Sequence, residues 1–323
     1  MKQVDCIIVG AGPCGLSAAI ELKRVGLSYL IIEKGSIVNA LYHYPTHQTF
    51  FSTSQKLEIG NIPFISLNNK PKRLEALKYY REVALREQLQ IHANEKVTSV
   101  QKKNHLFNVH TSKDTYSCKY VVMATGYYDQ PNMLHIEGEK LPKVFHYFKE
   151  AHPYFQKNVV VIGGKNSAVD AAIELVHAGA NVTVLYRGSE YSPSVKPWVL
   201  PEFDAMVRNE QINMCFEATP LKITEDSVVF NYKDEKMTIE NDYVFAMIGY
   251  HPDHEFLKQM GVQIEEETGR PSFDPHTMES NVENLYIAGV LAAGNNANEI
   301  FIENGRFHGG QIAQSIVGKE NLV

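Results

Sequence analysis

Paired cysteines, long apolar runs and basic blocks are what this sequence lacks. Its 323 residues include four cysteines: Cys6, Cys14, Cys118 and Cys215. No two stand as Cys-x-x-Cys or at zinc-ligand spacing, which excludes a local redox dithiol and a structural zinc site. Cys6, Cys118 and Cys215 sit in or beside apolar strand-like runs, the usual setting of a small buried hydrophobe. No uncharged apolar stretch of about 18 residues occurs, so no membrane span is expected. No Lys/Arg block offsets a formal charge of −6, which argues against nucleic acid as a main partner. Lys2 followed by the apolar residues 6–20 imitates a secretory signal. Asp5 interrupts that run, and the segment carries a motif the working protein must keep. A cytoplasmic protein is expected. With 44% hydrophobic and 21% charged residues, the composition is that of a globular protein, and the length allows about two domains.

The motif lies at the start. Val4-Asp5-Cys6-Ile7-Ile8-Val9 has strand length, Gly10-Ala11-Gly12-Pro13-Cys14-Gly15 follows without a break, and residues 16–22 have helical composition. Strand, glycine turn and helix form the context in which Gly-x-Gly-x-x-Gly reads as a dinucleotide fingerprint. Gly10 permits the tight turn, Gly12 lets a pyrophosphate approach the backbone, and Gly15 lets helix pack on strand. Amides and dipole at the helix start hold phosphate charge. Tyr29–Ile32 is a second short strand, and Glu33 ends it where a ribose-binding acid would stand. The spacing predicts a nucleotide-binding βαβ unit.

Residues 39–52 are rich in aromatic and hydroxyl side chains and lack either period. They read as a functional loop, able to pack on a flat ring system or to be pinned to the core. Residues 71–88 have the spacing of an amphipathic helix, with Leu74, Leu77, Val83, Ala84 and Leu85 as its apolar positions. Residues 96–100, 106–110 and 116–123 alternate as a small β-meander that ends in Ala124-Thr125-Gly126. Pro and Gly mark residues 131–156 as linker and loop.

A second βαβ unit follows, with Val159-Val160-Val161-Ile162 as strand and Gly163-Gly164-Lys165-Asn166-Ser167-Ala168 as turn. Lys165 stands where the middle glycine belongs. Either the backbone lies farther from the phosphate there, or the lysine joins its recognition. Residues 181–185 form the next strand, ending in Tyr186-Arg187. Arg187 is placed at the position of Glu33, where a cation suits a 2′-phosphate and so NADPH over NADH; otherwise it is a solvated strand-end charge. Residues 212–247 are again strand-rich, and residues 244–249 match residues 121–126. The halves are therefore expected to repeat one plan. Leu285-Tyr286-Ile287-Ala288-Gly289 reads as strand and turn. Residues 307–317 read as a last helix, in which Gly309 and Gly310 predict close backbone approach.

This order of motifs resembles, over nearly the whole chain, the two-dinucleotide-binding flavoproteins of the thioredoxin reductase type. More narrowly, Gly-Ala-Gly-Pro-Cys-Gly, Leu-Tyr-His-Tyr-Pro, Gly-Gly-Lys-Asn-Ser-Ala and Ala-Gly-Asn-Asn-Ala-Asn-Glu resemble the YpdA-type bacillithiol disulfide reductases of low-GC Gram-positive bacteria. The implied fold class is α/β, with two Rossmann-like FAD/NAD(P)-binding domains, the second inserted into the first. Residues 1–127 and 250–323 would bind FAD, and residues 128–249 NADPH. The implied reaction passes a hydride from NADPH through the flavin to the disulfide of a low-molecular-weight thiol. A homo-oligomer and a bacilliredoxin-type protein partner are expected with it. Three features depart from the wider pattern. No Cys-x-x-Cys stands in the inserted domain, Val290 replaces the acid usual after the C-terminal Ala-x-Gly turn, and Lys165 replaces a glycine.

Carried onto this sequence, FAD falls to Gly10, Gly12, Pro13, Cys14, Gly15, Glu33, Lys34, Val97, Thr125, Gly126 and Gly289. NADPH falls to Gly163, Gly164, Lys165, Asn166, Ser167, Ala168 and Arg187. Cys14 matches the reactive thiol proposed in that family. The helix start favours its thiolate and a neighbouring pyrophosphate opposes it, so nucleophile and packing residue both stand open. Rival readings are a ferredoxin–NADP reductase, a flavin monooxygenase and a flavin-binding redox sensor without catalysis.

Overall fold

The computed structural model describes residues 2–296 and 298–320. The chain divides into two compact units, Met1–Gln130 with His251–Val323, and Pro131–Tyr250.

In the first unit β1 (Lys2–Val9) runs beside β2 (Tyr29–Ile32) and β6 (Thr115–Met123), parallel to both. Residues 6–9 are buried without a break, which a central parallel strand covered on both faces requires. The sheet order is β3-β2-β1-β6-β5-β4, with β3 (Ile91–His92), β4 (Val97–Lys103) and β5 (Leu106–Thr111). One edge of β6 is shared. Residues 115–118 pair antiparallel with β5, and Val121 to Met123 pair parallel with β15 (Leu285–Ile287). The meander therefore leaves the parallel sheet through β6 itself.

Helix α1 (Pro13–Arg24) follows β1, with Pro13 at a first-turn position that needs no amide hydrogen. Residues 39–52 contain one short helix, α2 (Asn39–His43), which the sequence reading of an aperiodic loop missed. Helix α3 (Arg73–Arg86) keeps part of the expected inner face, with Val83 and Ala84 buried and Leu77 packed against the core, and replaces the rest. Ala76, Tyr79, Tyr80 and Val83 are buried, whereas Leu74 is 57% and Leu85 67% exposed. The tyrosines turn inward because their hydroxyls donate to carbonyls, Tyr79 to Ile62 at 2.8 Å and Tyr80 to Leu57 at 2.9 Å. A count of aliphatic residues cannot see that.

The second unit has a parallel sheet of order β10-β9-β8-β14-β7, built from β7 (Val144–Phe145), β8 (Asn158–Ile162), β9 (Asn181–Leu185), β10 (Ile212–Cys215) and β14 (Tyr243–Ala246). Strand β7 lies inside the stretch expected to be linker. Alternation sorts its side chains. Val159, Val161 and Phe245 face one core with α4 (Asn166–His177) and α5 (Leu200–Arg208). Val160, Ile162 and Val244 face another with residues of β11 (Ala218–Ile223) and β12 (Ser227–Tyr232). With β13 (Glu235–Glu240) these strands form a separate antiparallel sheet. Both units thus carry four parallel strands in matching order, β3-β2-β1-β6 and β10-β9-β8-β14, each with a meander between its third and fourth.

The chain returns to the first unit through α6 (His254–Gln259), β15, α7 (Ile302–Gly305) and α8 (His308–Glu320). A Cβ on Gly309 would come 2.6 Å from Ala18 Cα, so α8 lies directly on the α1 backbone there. Gly310 meets nothing within 4 Å, so the expected close approach belongs to Gly309 alone. No helix of the described residues is long and apolar enough to cross a membrane.

Candidate active site

Three fingerprint glycines in the first unit are required for different reasons. Gly10 has φ +108°, and a Cβ there would sit 2.5 Å from the carbonyl oxygen of Ala124. That places the first motif against the Ala124-Thr125-Gly126 turn, where Gly126 has φ +69°. A Cβ on Gly15 would collide with the carbonyl oxygen of Gly10. A Cβ on Gly12 would meet no protein atom within 4 Å, and its φ of −73° suits any residue. Packing inside the protein explains Gly10 and Gly15. It leaves Gly12 to whatever approaches from outside. No side chain caps α1 at Gly12, so its first amides suit an anion. A dinucleotide pyrophosphate fits this cradle.

Glu33 is 6% exposed and fastened on both oxygens, Oε2 accepting from the Ala11 amide and Oε1 from the Gly35 amide, each at 2.8 Å. Burial pushes its carboxyl up, and the two amides hold it down in part. Each oxygen keeps lone-pair capacity for a hydroxyl donor. The Glu95 amide donates to the Glu33 carbonyl at 2.9 Å, which draws the start of β4 alongside. Val97 itself is 7% exposed with its side chain in the core, so its backbone is what it can offer. Lys34 pairs with Asp129 at 2.8 Å, joining the ends of the two motifs.

Cys14 lies in the first turn of α1 and points across the unit. Its Sγ is 2.9 Å from where a Cβ on Gly289 would stand and 3.0 Å from one on Gly305. Gly289, with φ +74°, is held in turn by His308, whose Nδ1 accepts its amide hydrogen at 3.1 Å. Burial keeps His308 neutral by lowering it to about 4. The sequence leaves Cys14 between a helix start that favours thiolate and a neighbouring pyrophosphate that opposes it, and the structure adds burial on the opposing side. A helix start supplies about 0.3–1 kcal/mol, less than the roughly 1.4 kcal/mol of one pKa unit. Burial pushes the thiol up to about 12. In this conformation burial favours the protonated thiol. Cys6, Cys118 and Cys215 are buried outright, whereas Cys14 is half-buried. The sequence holds no signal for the Cys14–Gly289–His308 arrangement, because its parts lie nearly 300 residues apart.

The second fingerprint repeats the first closely. A Cβ on Gly163, at φ +135°, would collide with the carbonyl oxygen of Met247, as one on Gly10 would with Ala124. Lys165 and Ser167 are exposed, and Ala168 lies on the buried face of α4. The Asn166 side chain is committed to the following loop, donating to the Ser194 carbonyl and accepting from the Lys196 amide, both at 2.9 Å. Its own contribution to a nucleotide is confined to backbone. The position assigned to Arg187 is corrected by register. Ile162 pairs with Leu185 as Val9 pairs with Ile32, so the counterpart of Glu33 is Tyr186. Arg187 is the counterpart of Lys34. The strand end cannot be located to one residue from composition, which is why the sequence reading slipped by one.

A model of the family described as pyridine nucleotide-disulphide oxidoreductase matches residues 7–289. Bacilliredoxin reductase Bdr of Bacillus subtilis (strain 168) is 63% identical over 323 residues, covering 99% of this chain and 100% of that protein. The structure of bacillithiol disulfide reductase Bdr (YpdA) from Staphylococcus aureus superposes with a TM-score of 0.97 at 60% identity, covering 99% of this chain and 100% of that one. Thioredoxin reductase of T. acidophilum shares the fold at a TM-score of 0.79 and 25% identity, covering 99% and 100%.

Proposed function

Since this chain belongs to the pyridine nucleotide-disulphide oxidoreductase family, we propose that it reduces the disulfide of a low-molecular-weight thiol with NADPH, through FAD. The balance is NADPH + H⁺ + RSSR → NADP⁺ + 2 RSH. When bound, FAD relays the electron pair from NADPH to the disulfide. The observation that carries the cofactor reading is the contrast between two otherwise repeated sites. The first ends its second strand in a buried acid suited to a free ribose diol. The second ends it in Tyr186 and the exposed cation Arg187, suited to a 2′-phosphate. Gly10, Gly12, Gly15, Glu33, Thr125, Gly126 and Gly289 hold the flavin nucleotide; the residues 163–168 and Arg187 hold NADPH.

The acceptor follows from the relatives. One is named for bacillithiol disulfide and the other for bacilliredoxin, so a small-molecule disulfide is the acceptor here and a bacilliredoxin-type protein a second partner. No cysteine lies between Lys119 and Met214, so no dithiol in the inserted unit relays electrons. Cys14 is the candidate thiol. To attack a disulfide it must lose its proton and leave the Gly289–Gly305 contact, so its reactivity depends on that backbone giving way.

The test is turnover of NADPH by purified, FAD-loaded protein with bacillithiol disulfide, other small disulfides, ferredoxin and oxygen as acceptors. Preference for bacillithiol disulfide is expected. Turnover with ferredoxin and none with any disulfide would select the electron-transfer reading instead.

A further inference from the structure

We propose that Tyr186 is a specificity-determining residue, reserving the second site for a 2′-phosphorylated nucleotide by filling the seat an acid would need to bind a free ribose. This rests on the NADPH reading of the inserted unit and names the side chain that excludes its rival. The chain carries its own comparison. In the first unit the amides of Ala11 and Gly35 both point into the seat after β2 and bind the Glu33 carboxylate at 2.8 Å. The second unit follows the same path to the same residue. Gly163 donates to the Leu185 carbonyl at 2.9 Å, as Gly10 donates to Ile32 at 2.9 Å. There the ring of Tyr186 lies over Gly164 and Gly188, the counterparts of Ala11 and Gly35. A Cβ on Gly164 would collide with the ring, and one on Gly188 would come within 2.5 Å of Cε1.

Three consequences follow from that placement. The ring requires glycine at both neighbours, so the three residues form one device. Among the described residues, neither the Gly164 nor the Gly188 amide donates to a protein acceptor, so the counterparts of the two donors that anchor the Glu33 carboxylate are unused by the protein here. And no carboxylate stands directly after β9, where Glu33 stands directly after β2, to accept from the hydroxyls of an unphosphorylated ribose. Arg187 completes the selection. Its counterpart Lys34 is neutralised by Asp129 at 2.8 Å, whereas Arg187 is exposed and makes no ion pair among the described residues. A 2′-phosphate meeting it meets an uncompensated charge.

The test is calorimetric titration of FAD-loaded protein with adenosine 2′,5′-bisphosphate and with 5′-AMP, which separates binding from any acceptor chemistry. Wild type should prefer the bisphosphate. Tyr186→Glu restores a carboxylate to the two amides, gaining 5′-AMP and repelling the 2′-phosphate, so the preference should shrink by at least roughly tenfold, the scale of one charged hydrogen bond. Tyr186→Phe keeps the ring in the seat and should hold the wild-type ratio. Should Tyr186→Glu fail to retain FAD and fold, Tyr186→Gln supplies an acceptor without the charge and should shift the ratio in the same direction. An unchanged ratio in a folded Glu or Gln variant overturns the proposal. Wild type that binds neither probe overturns the nucleotide reading of the unit itself.

Discussion

At the scale of single residues the candidate thiol Cys14 offers the sharpest test. Cys14 is set at about 12 by burial, so its thiolate fraction grows with pH across the whole working range. If the buried conformation is the one that loses the proton before attack, kcat/KM for disulfide reduction should climb about tenfold per pH unit from 6 to 9 without a plateau. A plateau near neutrality would mean that substrate or NADPH binding lowers the thiol first. Cys14→Ser is nearly isosteric, so FAD should stay bound and anaerobic bleaching of the flavin by NADPH should keep its rate. Disulfide turnover should fall by orders of magnitude, because an alcohol cannot perform thiol–disulfide exchange. Full turnover in that variant would leave Cys14 a packing residue between Gly289 and Gly305.

At the scale of elements, β1, the glycine turn and α1 make a unit whose glycines can be separated by experiment. Gly15→Ala drives a methyl into the Gly10 carbonyl, a backbone atom that cannot move aside. It should destabilise the apoprotein by about 1–3 kcal/mol, as overpacking does. Gly12→Ala meets no protein atom and keeps an allowed φ, so apoprotein stability should change by less than about 1 kcal/mol, the scale of a helix-cap change. It should nevertheless lose FAD on gel filtration. Melting curves of the two apoproteins, read beside flavin content per chain, decide the point; a Gly12→Ala protein that stays fully yellow would remove the pyrophosphate from that turn. The same elements show what was readable. Strand, turn and helix were legible because each carries a local period. The two-residue strands β3 and β7 are too short for any period, and only their neighbours make them strands.

At the scale of the molecule two buried groups, one in each unit, should answer acid in opposite ways. His308 in the first unit is buried and lowered to about 4, below its unfolded value. Between roughly pH 6.5 and 4 the unfolded state therefore binds more protons, and this contribution makes the first unit less stable as pH falls. Asp170 in the second unit is raised to about 6 by burial and by Glu174. Its unfolded form ionises first, so the second unit is weakened as pH rises from about 4 to 6 and relieved as pH falls. Hydrogen exchange at pH 6.5 and 4.5 should show protection falling further in the first unit. His308→Gln should blunt that fall, and Asp170→Asn should raise protection of the second unit at pH 7. Equal acid sensitivity in wild type and His308→Gln would show that His308 ionises freely in the folded state.

The sequence by itself determined the two βαβ units, the repeat between them and the lack of a paired dithiol. Each of these is written in local spacing: strand-length apolar runs, glycines at fixed offsets, cysteines with no neighbour. It placed the joints near residues 127 and 250, against 130/131 and 250/251 in the structure. Only the tertiary structure decided that Tyr186, not Arg187, takes the seat of Glu33, since register is set by hydrogen bonding to the neighbouring strand. Only it set Cys14 against the backbone of Gly289 and Gly305, where burial raises the thiol. Desolvation comes from backbone nearly 300 residues away, and that distance in sequence leaves no trace in the spacing around Cys14.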